Sequence, residues 1–133
     1  MDWKARNQKN KAIIWDYWQR MNSARPNEVK GICKKVFHKN INWNGSQPFN
    51  QIRGIDAVVK TFWEPLLNAF PDIKRVPHIL LGGLSDDEEW VSGYGYLTGT
   101  FVHDWLGIPA TGKKTHINFG QFFVMRDEKI VES

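Results

Sequence analysis

The stretch from residue 115 to residue 125 constrains the fold most, because four of the five alternate positions from 117 to 125 are apolar. A period of two predicts a strand that buries one of its faces. The apolar members of that face are Ile117, Phe119, Phe123 and Met125. A buried polar group costs free energy unless it is hydrogen-bonded. We therefore predict that Gln121, the one polar member, faces a cavity and bonds a ligand or an ordered water there.

Three helical patterns precede this strand. Apolar residues recur at three- and four-residue spacing within residues 4–24 and 54–70, which is typical of helices with one buried stripe. Pro26 indicates the first turn of a shorter helix between them, and Pro71 ends the long one. The predicted stripe of the first helix is Ile14, Trp15, Trp18 and Met21.

Strand patterns dominate the second half of the chain. The predicted strands are residues 37–43, 74–84, 90–101, 115–125 and 130–132. Gly93, Gly95 and Gly99 fall on one face of their strand, which indicates a bend or the close approach of another element. Helices followed by consecutive antiparallel strands indicate an α+β fold. We expect residues 1–133 to form a single domain, with a curved sheet wrapped on the long helix around a conical cavity.

Composition excludes several kinds of site. The seven Trp and eight Phe supply rings for a core or for a pocket that takes apolar ligands. The single Cys33 excludes an internal disulfide and a cysteine-based zinc site, and no His and carboxylate residues have metal-ligand spacing, so no metal is predicted. No apolar run is long enough to span a membrane, and no signal-peptide pattern begins the sequence, so we expect a cytoplasmic location.

Positive charge is concentrated in the first 39 residues, which hold ten Lys or Arg against three Asp or Glu. Such a segment could attract an anionic partner. A solvated helix face explains the same charges, and the chain has no zinc-finger or RNA-recognition signature. We therefore rank nucleic acid below a small molecule or a protein as the partner.

A series of short motifs occurs in a recognisable order. They are Trp63, Ala69–Asp72, Gly82–Gly83, Gly99–Phe101, Leu106–Lys113 and Asp127–Glu132. This order resembles the SnoaL-like polyketide cyclase (ester cyclase) family, which has the NTF2-like fold. The resemblance covers the chain from about Trp15 onward, and the segment Leu106–Lys113 is its most specific part.

The resemblance implies a cone-shaped α+β barrel, with N-terminal helices packed on a curved antiparallel sheet. It also implies a deep, cofactor-free pocket for an apolar and often polycyclic small molecule. Many members of the family pack sheet against sheet as dimers, so a homodimer is expected. The family usually continues beyond the Ile-Val-Glu motif, so either a short last strand or a truncated chain is expected.

Two positions depart from the family pattern. In characterised cyclases of the family, an Asp in the strand after the Pro-Ala-Thr-Gly turn acts as acid and base in an intramolecular aldol ring closure. The matching position here is Gln121, whose carboxamide does not accept a proton at neutral pH. The His that often follows Gly-Thr in the family corresponds to Phe101. The resemblance therefore implies altered acid/base chemistry in this chain.

Two other residues are candidates for proton transfer. Asp104 lies in a connector beside Trp105, whose apolar surface would raise the pKa of the carboxyl. A turn or cap role is the alternative for Asp104. His78 alternates with Val76 and Leu80 and is predicted to face inward, either as an acid/base group or as a hydrogen-bonded core residue.

Aromatic residues around the strands supply the predicted ligand contacts. Tyr94 and Tyr96 share one strand face, which either lines the cavity or forms an outer face used in dimer contact. His116 is expected to be exposed, opposite Gln121. The predicted ligand-binding residues are Gln121, Trp63, Phe101, Phe119, Phe123, Trp105, Tyr96 and Trp18.

These patterns are compatible with two functions. The first is binding of an apolar small molecule, whether polycyclic or not, in a deep pocket. The chain would then be a cofactor-free cyclase- or isomerase-type enzyme with altered acid/base residues, or a non-catalytic binder. The second function is a non-catalytic protein-interaction module that uses the basic N-terminal helix and the aromatic sheet face. The pocket volume and the oligomer mass distinguish the two.

Overall fold

Three helices pack on one face of a six-stranded sheet in the computed structural model, which describes residues 2–133. The α1 helix (Trp3–Asn22) begins after Asp2, whose carboxylate accepts a hydrogen bond from the Ala5 backbone N–H at 2.8 Å. A 3-10 turn precedes α2, and α3 is continuous through a central π-helical segment. The bounds are Pro26–Glu28 for the turn, Val29–Val36 for α2, and Ile55–Val58, Val59–Trp63 and Glu64–Ala69 for the segments of α3.

The strands are β1 (Phe37–Asn44), β2 (Gln51–Arg53), β3 (Lys74–Ser85), β4 (Glu88–Thr100), β5 (Lys114–Arg126) and β6 (Lys129–Glu132). Their order in the sheet is β2-β1-β6-β5-β4-β3, and the sheet is open. All neighbouring strands are antiparallel except β1 and β6, which are parallel. The predicted α+β class and cone-shaped architecture are confirmed. We did not predict β2, because three residues are too short to show a period of two.

The α1 helix buries a stripe that differs from the predicted one at a single position. The buried stripe includes Ile14, Tyr17, Trp18 and Met21. Trp15, which we predicted to be part of the stripe, is 48% exposed. The helix buries the residues three and four positions after Ile14, which are Tyr17 and Trp18. Trp15 therefore points away from the sheet, and Tyr17 occupies the buried stripe instead.

Glycines on the inner face of β4 let bulky groups approach the sheet. A Cβ on Gly93 would lie 2.6 Å from the indole ring of Trp18 and 2.9 Å from the carbonyl oxygen of Ile79. A Cβ on Gly99 would lie 3.2 Å from the side chain of Phe70. These distances confirm that the glycines mark the close approach of another element. Trp18 can therefore reach the centre of the inner face.

A β-bulge in β3 decides which of its side chains point inward. The register against β4 shifts between Pro77 and Ile79, so His78 has no paired residue on that strand. Before the bulge Arg75 pairs with Leu97, and after it Leu80 pairs with Gly93, both on the inner face. The inward parity of β3 therefore changes at His78. Pro77 is tolerated there because β3 is an edge strand.

Candidate functional site

A cavity of about 240 Å³ opens between the inner face of the sheet and α3. Its floor comes from paired positions on β3, β4 and β5, and Leu66 contributes the wall from α3. The floor residues are Arg75, Leu97, Ile117, Phe119 and Gln121. The rest of the lining includes Trp43, Phe49, Phe62 and Trp105, together with the chain from Asn44 to Ser46.

Aromatic rings form one continuous cluster around this cavity. The ring of Phe62 lies with its centroid 4.7 Å from that of Trp43 and 5.2 Å from that of Phe49. Trp105 extends the cluster, with its centroid 6.4 Å from Phe49 and 5.7 Å from Phe70. A wall of this kind suits an apolar ligand with a flat ring.

Gln121 makes its side-chain hydrogen bond to a residue that the sequence patterns did not single out. The Nη1 of Arg75 donates to the Oε1 of Gln121 over 2.6 Å. Because the amide oxygen is used in this way, the amide NH2 of Gln121 remains as a donor. Within residues 2–133 the structure records no acceptor for that NH2 group.

The guanidinium of Arg75 lies over the faces of two aromatic rings, and the residue is 7% exposed. Its Cζ is 4.9 Å from the centroid of the Trp18 ring and 4.3 Å from that of Phe119. Asn22 fixes its backbone, because the Oδ1 accepts from the Arg75 N–H at 2.7 Å and the Nδ2 donates to the Arg75 carbonyl at 3.1 Å. The side chain is thus held in place from both ends of the residue.

Arg75 is a cation at neutral pH. Burial lowers the pKa of Arg75 to about 10, which still leaves the group protonated at pH 7. Tyr17 is the nearby ionisable group, and burial raises its pKa well above the usual value, so it remains a neutral phenol. Among the described residues, no carboxylate lies within 4.0 Å of Arg75. The site therefore carries one buried positive charge without a negative counterpart.

The structure divides the predicted ligand-binding residues into three groups. Gln121, Phe119 and Trp105 line the cavity. Four others, which are buried in the core and absent from the lining, are Trp18, Trp63, Phe101 and Phe123. Trp18 nevertheless contributes indirectly, since its ring supports Arg75. Tyr96 lies on the outer face, stacked on His116 at a centroid distance of 4.9 Å.

The two predicted proton-transfer residues do not reach the cavity. His78 is exposed on the outer face, with ring contacts to Tyr94 and Tyr96, so the prediction that it faces inward is wrong. The bulge at that position explains the difference, because it removes His78 from the inward alternation that leads to Leu80. Asp104 is exposed in its loop, where its Oδ1 accepts from the Ala110 N–H at 2.9 Å. This contact corresponds to the turn-cap alternative.

Arg75 is the main residue that the sequence patterns missed. Counting back from the inward Leu80 with a period of two places Val76 inside and Arg75 outside. The bulge reverses that assignment. The available signal was Pro77, since a proline inside a strand indicates an edge strand or a bulge.

A larger concavity, of about 390 Å³, lies away from this cavity across β1, β5 and β6. Its walls are mostly charged or polar and exposed, including His38, Arg53, Arg126 and Asp127. We consider the smaller cavity the candidate site because its lining includes a buried guanidinium and a half-buried amide with unused donors. Within residues 2–133, no three His, Cys, Asp or Glu side chains are grouped so that they could hold a metal ion.

Comparison with known families identifies the chain. The family model described as SnoaL-like polyketide cyclase matches residues 15–133. The chain belongs to this family. The sequence comparison with curated proteins found no significant match for this SnoaL-like chain. None of the described helices is long and apolar enough to cross a membrane.

Solved structures with the same fold carry several different descriptions. A candidate SnoaL-like polyketide cyclase from Jannaschia sp. CCS1 is 17% identical, with a TM-score of 0.74 over 95% of this chain and 83% of that one. AclR from Streptomyces galilaeus, described as a candidate hydroxylase, is 21% identical, with a TM-score of 0.75 over 95% and 76% of the two chains. SalBIII, described as an epoxide hydrolase/cyclase-like enzyme in pyran ring formation in the polyether salinomycin, is 18% identical, with a TM-score of 0.72 over 94% and 87%. At these identities the likeness establishes the NTF2-like fold, and a fold of this kind hosts more than one reaction.

Proposed function

We propose that this chain binds a small molecule with an apolar ring system in the cavity beside Gln121. The observation that supports this most strongly is the juxtaposition of an aromatic wall with two polar side chains whose unused groups are all donors. An apolar pocket with a few convergent polar groups is the usual form of a ligand site. Gln121 would hold a carbonyl oxygen of the ligand through its amide NH2.

The cavity lining favours a reaction without a carboxylate base, or binding alone. The described residues that line the cavity include no Asp, Glu or His. Donors that hold a ligand oxygen stabilise negative charge as it develops there, which is the electrostatic part of an enolisation or ring closure. The proton acceptor for such a reaction would have to come from the ligand or from water. We therefore propose a cyclase-derived pocket in which charge stabilisation remains and base catalysis has been lost.

The cavity volume favours a ligand smaller than a steroid. At about 240 Å³ it lies below the roughly 300–1,000 Å³ that is usual for ligand pockets. We expect 1-tetralone, a neutral two-ring ketone, to raise the melting temperature, because a ligand that binds only the folded state stabilises it. Progesterone, with four rings, should have little effect.

A pocket-blocking variant tests whether this binding occurs in the cavity. Ile117→Trp places a large ring on the cavity floor and should abolish the shift caused by 1-tetralone. Lys114→Trp adds the same ring to an exposed position of the same strand and should leave the shift intact. Equal shifts in both variants would place the ketone elsewhere and contradict the proposal.

A second proposal concerns the outer face of the sheet, which exposes neighbouring apolar side chains. Leu81 and Phe122 both lie beside Ser92 across β4, and Ile79 pairs with Tyr94 in the adjacent row. Leu81 is 58% exposed and Phe122 is 53% exposed. A contiguous apolar patch of this kind usually marks an interaction surface. We propose that it packs against the same face of a second copy.

The mass of the protein in solution tests this second proposal. Sedimentation of the wild type should give twice the 15.5 kDa chain mass, and Leu81→Glu should give the monomer, because a charge buried in an apolar interface is costly. Trp15→Glu, an apolar-to-charged change at an exposed position of α1, is the control and should remain dimeric. A monomeric wild type would contradict the proposal.

A further inference from the structure

Arg75 differs from the other cations of the described chain in its surroundings. Lys9, Arg20 and Lys30 each form an ion pair with a carboxylate at the protein surface. Arg75 is buried, and the structure gives its guanidinium one side-chain hydrogen bond, to the neutral amide of Gln121. A buried charge is normally paired with an opposite charge. This one is compensated only by an amide oxygen and two ring faces.

The chemistry of the unused donors indicates what would complete the site. A guanidinium has five N–H donors and no acceptor, and the structure records one side-chain hydrogen bond from Arg75, through its Nη1. The unused N–H groups of Arg75 and the NH2 of Gln121 therefore offer donors only. Both residues line the same cavity. A group with two acceptor oxygens in one plane matches a planar guanidinium best.

We propose that the cavity is a carboxylate site, and that the ligand is a small aromatic or alicyclic acid whose carboxylate pairs with Arg75 beside Gln121. This inference rests on the proposed function, since it assigns a ligand class to the same cavity. The aromatic wall takes the apolar body, and the donors at the floor take the anionic end. Arg75 is then a specificity-determining residue, because it selects anionic ligands over neutral ones of equal shape.

The burial of an unpaired cation fits this role better than a structural one. A buried, unpaired charge in a binding site lowers the stability of the ligand-free protein. Replacing such a charge with an apolar group is often neutral or stabilising. The backbone contacts of Asn22 and the rings of Trp18 and Phe119 hold the guanidinium in place before any ligand arrives. Preorganised donors of this kind lose little freedom on binding.

The test compares an acid with its neutral isostere in wild-type protein and in two Arg75 variants. The probes are 2-naphthoate and 2-naphthamide, whose dissociation constants are measured by calorimetry in a buffer of low ionic strength at pH 7. We expect wild type to bind the acid at least about tenfold more tightly than the amide, because charge-assisted hydrogen bonds are about twice as strong as neutral ones. Arg75→Met should remove this preference, and Arg75→Lys should keep part of it, since it retains the charge without the planar fork.

A double variant distinguishes a loss of ligand selectivity from a loss of folding. Arg75→Met alone leaves the Oε1 of Gln121 without a hydrogen-bond donor, which is itself destabilising. The double variant Arg75→Met with Gln121→Met avoids this cost because it removes both polar groups. We expect the double variant to melt no lower than wild type and to bind the amide while losing the preference for the acid. A clear fall in its melting temperature would show that Arg75 is structural and would overturn the inference.

The remaining outcomes separate this inference from the proposed function. If wild type binds the acid and the amide equally, the cavity still binds ligands but Arg75 does not select anions, and the inference is overturned. A preference for the acid that persists in Arg75→Met also overturns the inference. If wild type binds neither probe and also fails to bind 1-tetralone, the proposed function fails together with the inference.

Discussion

Replacing Trp18 with alanine is expected to lower the free energy of unfolding by about 3–5 kcal/mol, which is the usual cost of removing a buried aromatic side chain. Trp18 is fully buried, and its ring lies 5.5 Å from that of Phe119 and 6.1 Å from that of Phe123. It also fills the space that Gly93 leaves on the inner face. Urea titration followed by circular dichroism measures the change.

Trp15→Ala is the matched control for this prediction. It removes the same side chain from the same helix, but Trp15 is 48% exposed, so the change should cost no more than about 0.5 kcal/mol. Equal losses in the two variants would show that the packing of α1 on the sheet differs from the one described. Trp18→Ala should also weaken 2-naphthoate binding, because the ring supports the guanidinium of Arg75.

Gln121→Glu is expected to create a carboxylate that is a poor base. Glutamate has the length of glutamine, so one carboxylate oxygen should lie where Oε1 now accepts from Arg75 at 2.6 Å. An adjacent cation typically lowers a carboxyl pKa by about 1–3 units from the ordinary value near 4.3. Combining Gln121→Glu with Arg75→Met should instead raise the pKa above that value, because the carboxylate would then be buried without a partner. Titration of the carboxyl carbon by NMR measures both values.

The same substitution predicts how the stability of the variant changes with pH. A carboxyl whose folded pKa is depressed contributes stability above its unfolded pKa, and that contribution is lost as the pH falls through the folded value. Gln121→Glu should therefore lose stability relative to wild type between about pH 4 and pH 2. A carboxyl pKa at or above 4.3 that does not respond to Arg75→Met would contradict the observed contact.

This prediction bears on the proposed loss of base catalysis in this chain. Placing a carboxylate at position 121 alone would set it against a permanent cation, which holds it ionised and weakly basic at neutral pH. A base at this position needs an apolar neighbour where Arg75 now lies. Under the proposed function, Arg75 and Gln121 therefore form a matched pair, and the proposed loss of base catalysis involves both.

Periodicity predicted the framework well because burial on one face imposes it. The stripe of α3 and the alternation along β5 each follow from one side facing the core. The prediction that Gln121 faces a cavity is consistent with its place in the lining. Its hydrogen bond, however, goes to a strand 46 residues away in sequence.

Periodicity could not predict the half of the site that depends on irregular structure. The bulge at His78 reverses the inward parity of β3, and no count of apolar residues reveals a reversal of this kind. The aromatic cluster around the cavity depends on tertiary packing, because Trp43, Phe49 and Phe62 come from a strand, a loop and a helix. Regular structure, by contrast, explains the positions of Tyr96 and His116. The uninterrupted pairing of β4 with β5 places both side chains on the outer face.

A crystal structure with 2-naphthoate tests the central claim, which is that the cavity beside Arg75 and Gln121 is the ligand site. We predict that the naphthalene ring lies among Trp43, Phe62 and Trp105, with a carboxylate oxygen about 2.7–3.2 Å from the Arg75 guanidinium and within reach of the Gln121 amide. A cavity filled by its own side chains, or 2-naphthoate bound elsewhere on the protein, would contradict it.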